Sequence, residues 1–115
     1  MSVTPDMVER RMIALAHSVD EAHAELVEAE QRYHLAKSAF EIGMAKERLR
    51  LAGVTGLRVR DVEDRALLAC EALFEDLHTA EAIAKAARAN ANRLRTQVDL
   101  VRSVGTSVRA SLDLQ

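Results

Sequence analysis

The residues with the types and spacing for chemistry are few. Glu75-Asp76-Leu77-His78 sets a carboxylate three residues before an imidazole, the spacing with which helical bundles hold pairs of metal ions. Glu30 and His34 repeat the two types four residues apart. In an antiparallel hairpin turning near Thr55, His34 and His78 become neighbours, and a dimer doubles the set. Geometry argues against it. Glu75 stands two residues from both Leu73 and Leu77, about 200° round a helix, so it points outward if those leucines point inward. No metal site is expected, and His17 and His23 are expected on the surface. Cys70 is the single cysteine, which excludes an intrachain disulfide and fits a reducing compartment. No base faces it, so it reads as a buried thiol and not as a nucleophile. Phosphate-loop, dinucleotide and hydrolase motifs are absent. Neither an enzyme nor a cofactor is expected.

Two sets of basic residues are candidates for contacts with anions or nucleic acid. Arg88, Arg95, Arg102 and Arg109 recur every seven residues and form a ladder on one helix face. The plain expectation is that they pair with acids such as Glu9, Glu25 or Glu30, on this or a neighbouring hairpin; the alternative is contact with phosphates. Lys46, Arg48, Arg50, Arg58 and Arg60 cluster on both sides of a turn, against Glu47. A solvated basic tip is the default there, and anion contact the alternative. No aromatic residue interleaves these bases, so stacking on single strands has no support.

Two helices must position these residues. From Val8 the apolar and small residues recur at steps of four and three: Met12, Leu15, Val19, Ala22, Leu26, Ala29, Tyr33, Ala36, Phe40 and Gly43. Large residues hold one repeating position and small ones most of the other. Thr4-Pro5-Asp6 starts this helix, with Thr4 as cap and Pro5, the only proline, in the first turn. Gly53 to Gly56 breaks it, with Gly53 a candidate left-handed cap and Thr55 or Asp61 the candidate cap of the second helix. The second stripe is Val62, Ala66, Ala69, Leu73, Leu77, Ala80, Ala84, Ala87, Ala91, Leu94, Val98 and Val101. Its consecutive steps of four at Ala69-Leu73-Leu77 predict a locally relaxed supercoil.

The expected fold is therefore all-α: one long antiparallel helical hairpin, a coiled coil, filling residues 1–115. Helix 1 covers about 5–51, the turn 52–58, and helix 2 about 59–104, or to 112 if Gly105 does not stop it. With the turn near Thr55, Leu26 faces Ala84, Val19 faces Ala91, and Phe40 faces Ala69 and Cys70, large against small. Residues 1–34 carry seven acids and three bases, residues 81–115 three acids and six bases, which favours this pairing direction.

A hairpin buries one stripe per helix, and a second apolar set remains. Leu35, Ile42 and Leu49, with Leu67, Cys70 and Phe74, cluster toward the turn. They predict a homo-oligomer, a four-helix or larger bundle, with this set as its interface; the alternative is a local widening of the hairpin's own core. Composition agrees with closely packed helices: 49% of residues are apolar, about twenty of them alanine, and the chain has no Trp, one Tyr and two Phe. The net charge of −2 gives no global signal for nucleic acid. No stretch has the length of a membrane span or signal peptide, so a cytoplasmic protein without membrane contact is expected.

The run Gln97-Val98-Asp99-Leu100-Val101-Arg102-Ser103-Val104-Gly105-Thr106-Ser107-Val108-Arg109-Ala110 resembles the end of a group of small Ala-rich helical proteins encoded by phages of actinobacteria. The layout is also similar: a Tyr-containing Ala/Glu-rich first helix (Glu30 to Phe40, with Tyr33), a Gly-containing break, then a long Ala-rich helix. The turn from Val54 to Arg60 is longer than in that group. The resemblance implies no assigned chemistry. The group's setting among early and recombination genes implies accessory work in DNA recombination or replication, or interference with a host protein, inside a bacterial cell. The expected function is thus a non-enzymatic adaptor that binds a protein partner, with a binder of nucleic acid or nucleotides as the alternative.

Overall fold

The computed structural model describes residues 2–114. It is all-helical, with α1 at Pro5–Ala52, α2 at Val59–Ala69 and α3 at Glu71–Asp113. α1 starts at the expected place for the expected reason: Met7 N–H donates to Thr4 Oγ1 at 3.2 Å, satisfying one of the four orphan donors of the first turn. No described helix is long and apolar enough to cross a membrane.

The chain divides into two compact units. The first joins α1 up to Val27 with α3 from Ala86. Its core is Leu15, Ala22 and Leu94, with Val98 and Val101 packed on them. The pairing is antiparallel: Val8, near the start of α1, meets Gly105 far along α3, while Leu15 meets Leu94. Arg11 Nη2 reaches Gln97 Oε1 at 3.5 Å at the edge of this seam. Gly105 does not end the helix. It is buried inside α3, and a Cβ there would stand 3.1 Å from Val8 Cγ1. Of the two ends considered for helix 2, the later one holds.

The second unit runs from Glu28 to Lys85. Met44, Leu51, Ala66 and Cys70 form its core, with Phe40, Leu57, Val62 and Leu73 against them. Phe40 also meets Phe74, ring centroids 5.7 Å apart, about one turn further along than its expected partner Cys70. The turn departs from the expected chemistry. Gly53 is not in the left-handed region; Gly56, at φ +87°, is the glycine that needs the freedom. α1 closes with Val54 N–H on Leu51 C=O at 3.0 Å, a tightened last turn. Arg58 caps α2, and its N–H donates to Asp61 Oδ2 at 3.4 Å, so Asp61 acts from the third helical position and Thr55 has no part.

The second helix is not continuous. Cys70, at φ −101° and ψ 20°, separates α2 from α3. Its N–H is shared between Ala66 C=O (3.0 Å) and Leu67 C=O (3.1 Å), and Phe74 N–H still reaches Cys70 C=O at 2.9 Å. The hydrogen-bond ladder thus crosses a one-residue distortion. The same residue corrects the seam. Ala69 is exposed, whereas Cys70 is buried at 4% exposure. From Ala66 the buried face reads Cys70, Leu73, Leu77, Ala80 and Ala84, in alternating steps of four and three. With Cys70 rather than Ala69 in the seam the heptad alternation is kept, and the irregularity of this stretch is the one-residue distortion at Cys70.

Candidate functional site

The histidine–carboxylate pattern does not assemble within the described chain. Among the described residues no group of three or more His, Cys, Asp and Glu side chains could hold a metal ion. Instead, the two imidazoles pack on aromatic neighbours of their own helices. His34 lies against Tyr33 at 5.5 Å and His78 against Phe74 at 4.2 Å between ring centroids. Cys70 is a buried free thiol.

The basic tip is more nearly neutral than its bases suggest. Arg48 forms a two-pronged bond to Glu63, with Nε to Oε1 at 2.7 Å and Nη2 to Oε2 at 2.9 Å. These bonds hold the Arg48 pKa up and the Glu63 pKa down. Arg50 binds Glu47 through Nε (3.0 Å) and Nη2 (2.8 Å), which likewise raises the Arg50 pKa. Asp61 caps α2 beside Arg58. Between Lys46 and Arg65 six bases stand against four acids. Two of the five candidate tip residues are therefore engaged by carboxylates, and Lys46, Arg58 and Arg60 are the three that form no ion pair among the described residues. The sequence signal for Glu63 was available: Arg48 and Glu63 lie at mirrored distances from the turn.

The arginine ladder behaves in the opposite way. Arg95, Arg102 and Arg109 form no ion pair among the described residues, so the pairing expected with Glu9 and Glu25 is not made within the chain. Arg88 does interact with a neighbour. Arg95 and Arg102 border a depression with His23, Leu26 and Asp99, and Arg109 shares another with Glu9. Both lie in the first unit.

The six residues expected to form one oligomer interface separate into three places. Cys70 is in the core of the second unit. Phe74 is 38% exposed and sits between Phe40 and His78, with Leu67 one heptad before it on the same flank. Leu35, Ile42 and Leu49 are 67%, 56% and 77% exposed. They cannot share the flank of Phe74. The face of α1 that meets α2 and α3 carries Phe40, Gly43, Met44 and Leu51. Leu35, Ile42 and Leu49 lie about 150° round the helix from its centre. Ser38 and Ala45 stand between them and Ala52 follows Leu49, at steps of three and four, all exposed. Leu35-Ser38-Ile42-Ala45-Leu49-Ala52 is thus a second heptad seam on the back of α1, large and small alternating as in the first. The three small residues had no apolar bulk to draw notice and were missed in sequence; their spacing is the signal that finds them.

No family model, no curated protein and no solved structure matches this chain.

Proposed function

We propose that the chain is a non-enzymatic interaction protein that self-associates through the back of α1 and presents its remaining surface to a protein partner. One observation carries this reading. Three large aliphatic side chains stand at seven-residue steps on a helix face turned away from the chain's own core, each more than half exposed. Scattered exposed leucines need no explanation, but a periodic apolar stripe along a helix is a surface made for another helix. The layout and the run from Gln97 to Ala110 support a phage-type accessory or adaptor role, linked to DNA recombination or replication or to a host protein.

The test is size-exclusion chromatography with light scattering, recorded at 260 and 280 nm. With no Trp and one Tyr the chain hardly absorbs at 280 nm, so bound nucleic acid would dominate the spectrum. A clean species larger than a monomer supports the reading.

A second reading is binding of nucleic acid or nucleotides through Arg95, Arg102 and Arg109. The guanidiniums without carboxylate partners favour it, and their spacing of about 10.5 Å along one face offers three phosphate contacts. Binding through them would weaken steeply as salt rises. Docking through an apolar seam would not.

A further inference from the structure

We infer that the Leu35–Ala52 seam is covered by the same seam of a second copy running antiparallel, with Ile42 of each chain packed on Ala45 of the other. This deepens the self-association reading and rests on it. In an antiparallel helix pair each large position meets a small one when the two residue numbers add to a constant. Here one register satisfies all six positions at once. Leu35 meets Ala52, Ser38 meets Leu49, and Ile42 meets Ala45, each pair occurring twice by two-fold symmetry. Every layer then holds one large and one small side chain, so two backbones approach closely without voids. A parallel pair would alternate Leu–Leu or Ile–Ile layers with Ser–Ser and Ala–Ala layers, giving bulges and gaps in turn. A self-complementary surface is what a two-fold dimer requires.

Charge independently supports the same occupant and direction. On one edge of the seam stand Glu41 and Arg48, seven residues apart. In the antiparallel register these edges face each other, so Glu41 of each copy lies opposite Arg48 of the other. Glu41 has no ion pair among the described residues. Arg48 is held by Glu63 with its side chain 48% exposed, leaving donors to share. The other edge sets Ala39 opposite Lys46, without conflict. The seam is therefore apolar along its middle, complementary along one edge and neutral along the other.

The experiment uses full-length chains in sedimentation equilibrium, with helicity checked by circular dichroism. Ile42→Glu places a charge on an exposed position, so the fold is kept, and dimer affinity should fall on the order of a hundredfold. Glu41→Arg and Arg48→Glu should each weaken self-association about tenfold by setting like charges opposite each other. Mixing the two variants should restore dimers, as heterodimers with both edge pairs opposite in sign. In a parallel pair Glu41 faces Lys46 and Arg48 faces Gly53, so the mixture would gain nothing.

Restored heterodimers together with a disrupted Ile42→Glu variant support the proposal. Disruption by Ile42→Glu without heterodimer recovery overturns the antiparallel register. An Ile42→Glu oligomer as tight as the wild type overturns the seam while self-association stands. A monomeric wild type overturns both.

Discussion

A Cβ on Gly43 would lie 2.7 Å from Leu73 Cδ1 and 3.4 Å from Cys70 Sγ. α1 and the start of α3 are thus as close as a glycine allows, one residue beyond the exposed Ile42. The same stretch of α1 is tight on one face and open on the other. This contrast carries the functional reading.

Gly43→Ala sets two effects against each other. Alanine gains about 1 kcal/mol of helix propensity over glycine, while overpacking costs about 1–3 kcal/mol. Since Leu73 Cδ1 is the end of a flexible side chain, the expected net loss is about 0–2 kcal/mol. Gly43→Leu has no such escape and should lose at least about 2 kcal/mol in urea unfolding. Gly105→Ala meets only Val8 Cγ1 at 3.1 Å, near the start of α1 where a few tenths of an ångström can be yielded. It should stay within about 1 kcal/mol of the wild type. A Gly43→Leu protein of undiminished stability would contradict the close approach.

Arg48 and Glu63 give stability a dependence on acid. The guanidinium hydrogen bonds, and then its charge, hold the Glu63 pKa below the ordinary carboxylate value. The pair's contribution is therefore full above the unfolded carboxylate pKa and is lost as pH falls through the lower folded value. The melting-temperature difference between wild type and Glu63→Gln should be largest near neutrality and shrink toward zero below that range. A difference that persists unchanged in acid would mean that something other than the ion pair is being measured. Both side chains are about half exposed, so high salt should also shrink it.

Cys70 is buried in the core of the second unit, so a water-soluble thiol reagent should modify it slowly in the folded protein and rapidly in denaturant. Modification at the free-thiol rate under native conditions would place the thiol outside the core.

Arg95, Arg102 and Arg109 hold no carboxylate of the described chain. Changing Arg102 and Arg109 to Gln should leave both the melting temperature and the oligomer unchanged. Collapse of the oligomer would make the ladder structural. An intact oligomer that loses salt-sensitive nucleic-acid binding would favour the second functional reading.

The stripe of α1 was legible because its period states it: Leu15, Ala22 and Ala29, predicted at one heptad position, are all buried. Capping by Thr4 was legible for the same reason, a local rule with a local partner. The seam choice between Ala69 and Cys70 was not, because both are small and adjacent, and only packing against Gly43 decides it. Glu63 was legible from its position mirrored to Arg48 across the turn and was passed over because the tip was read by its bases alone. The set from Leu35 to Phe74 was grouped by apolarity and nearness to the turn, whereas the angle round each helix divides it. The second copy proposed for the exposed seam lies outside one chain, so neither local pattern nor intrachain packing could state it.

The most direct measurement is the mass of the wild-type protein in solution, by sedimentation equilibrium from low to high micromolar concentration. The predicted result is a concentration-dependent dimer or larger even multiple of the chain, weakened only modestly by moderate salt and free of 260 nm absorbance. A monomer across the whole range would contradict self-association and leave Leu35, Ile42 and Leu49 without the partner their spacing implies.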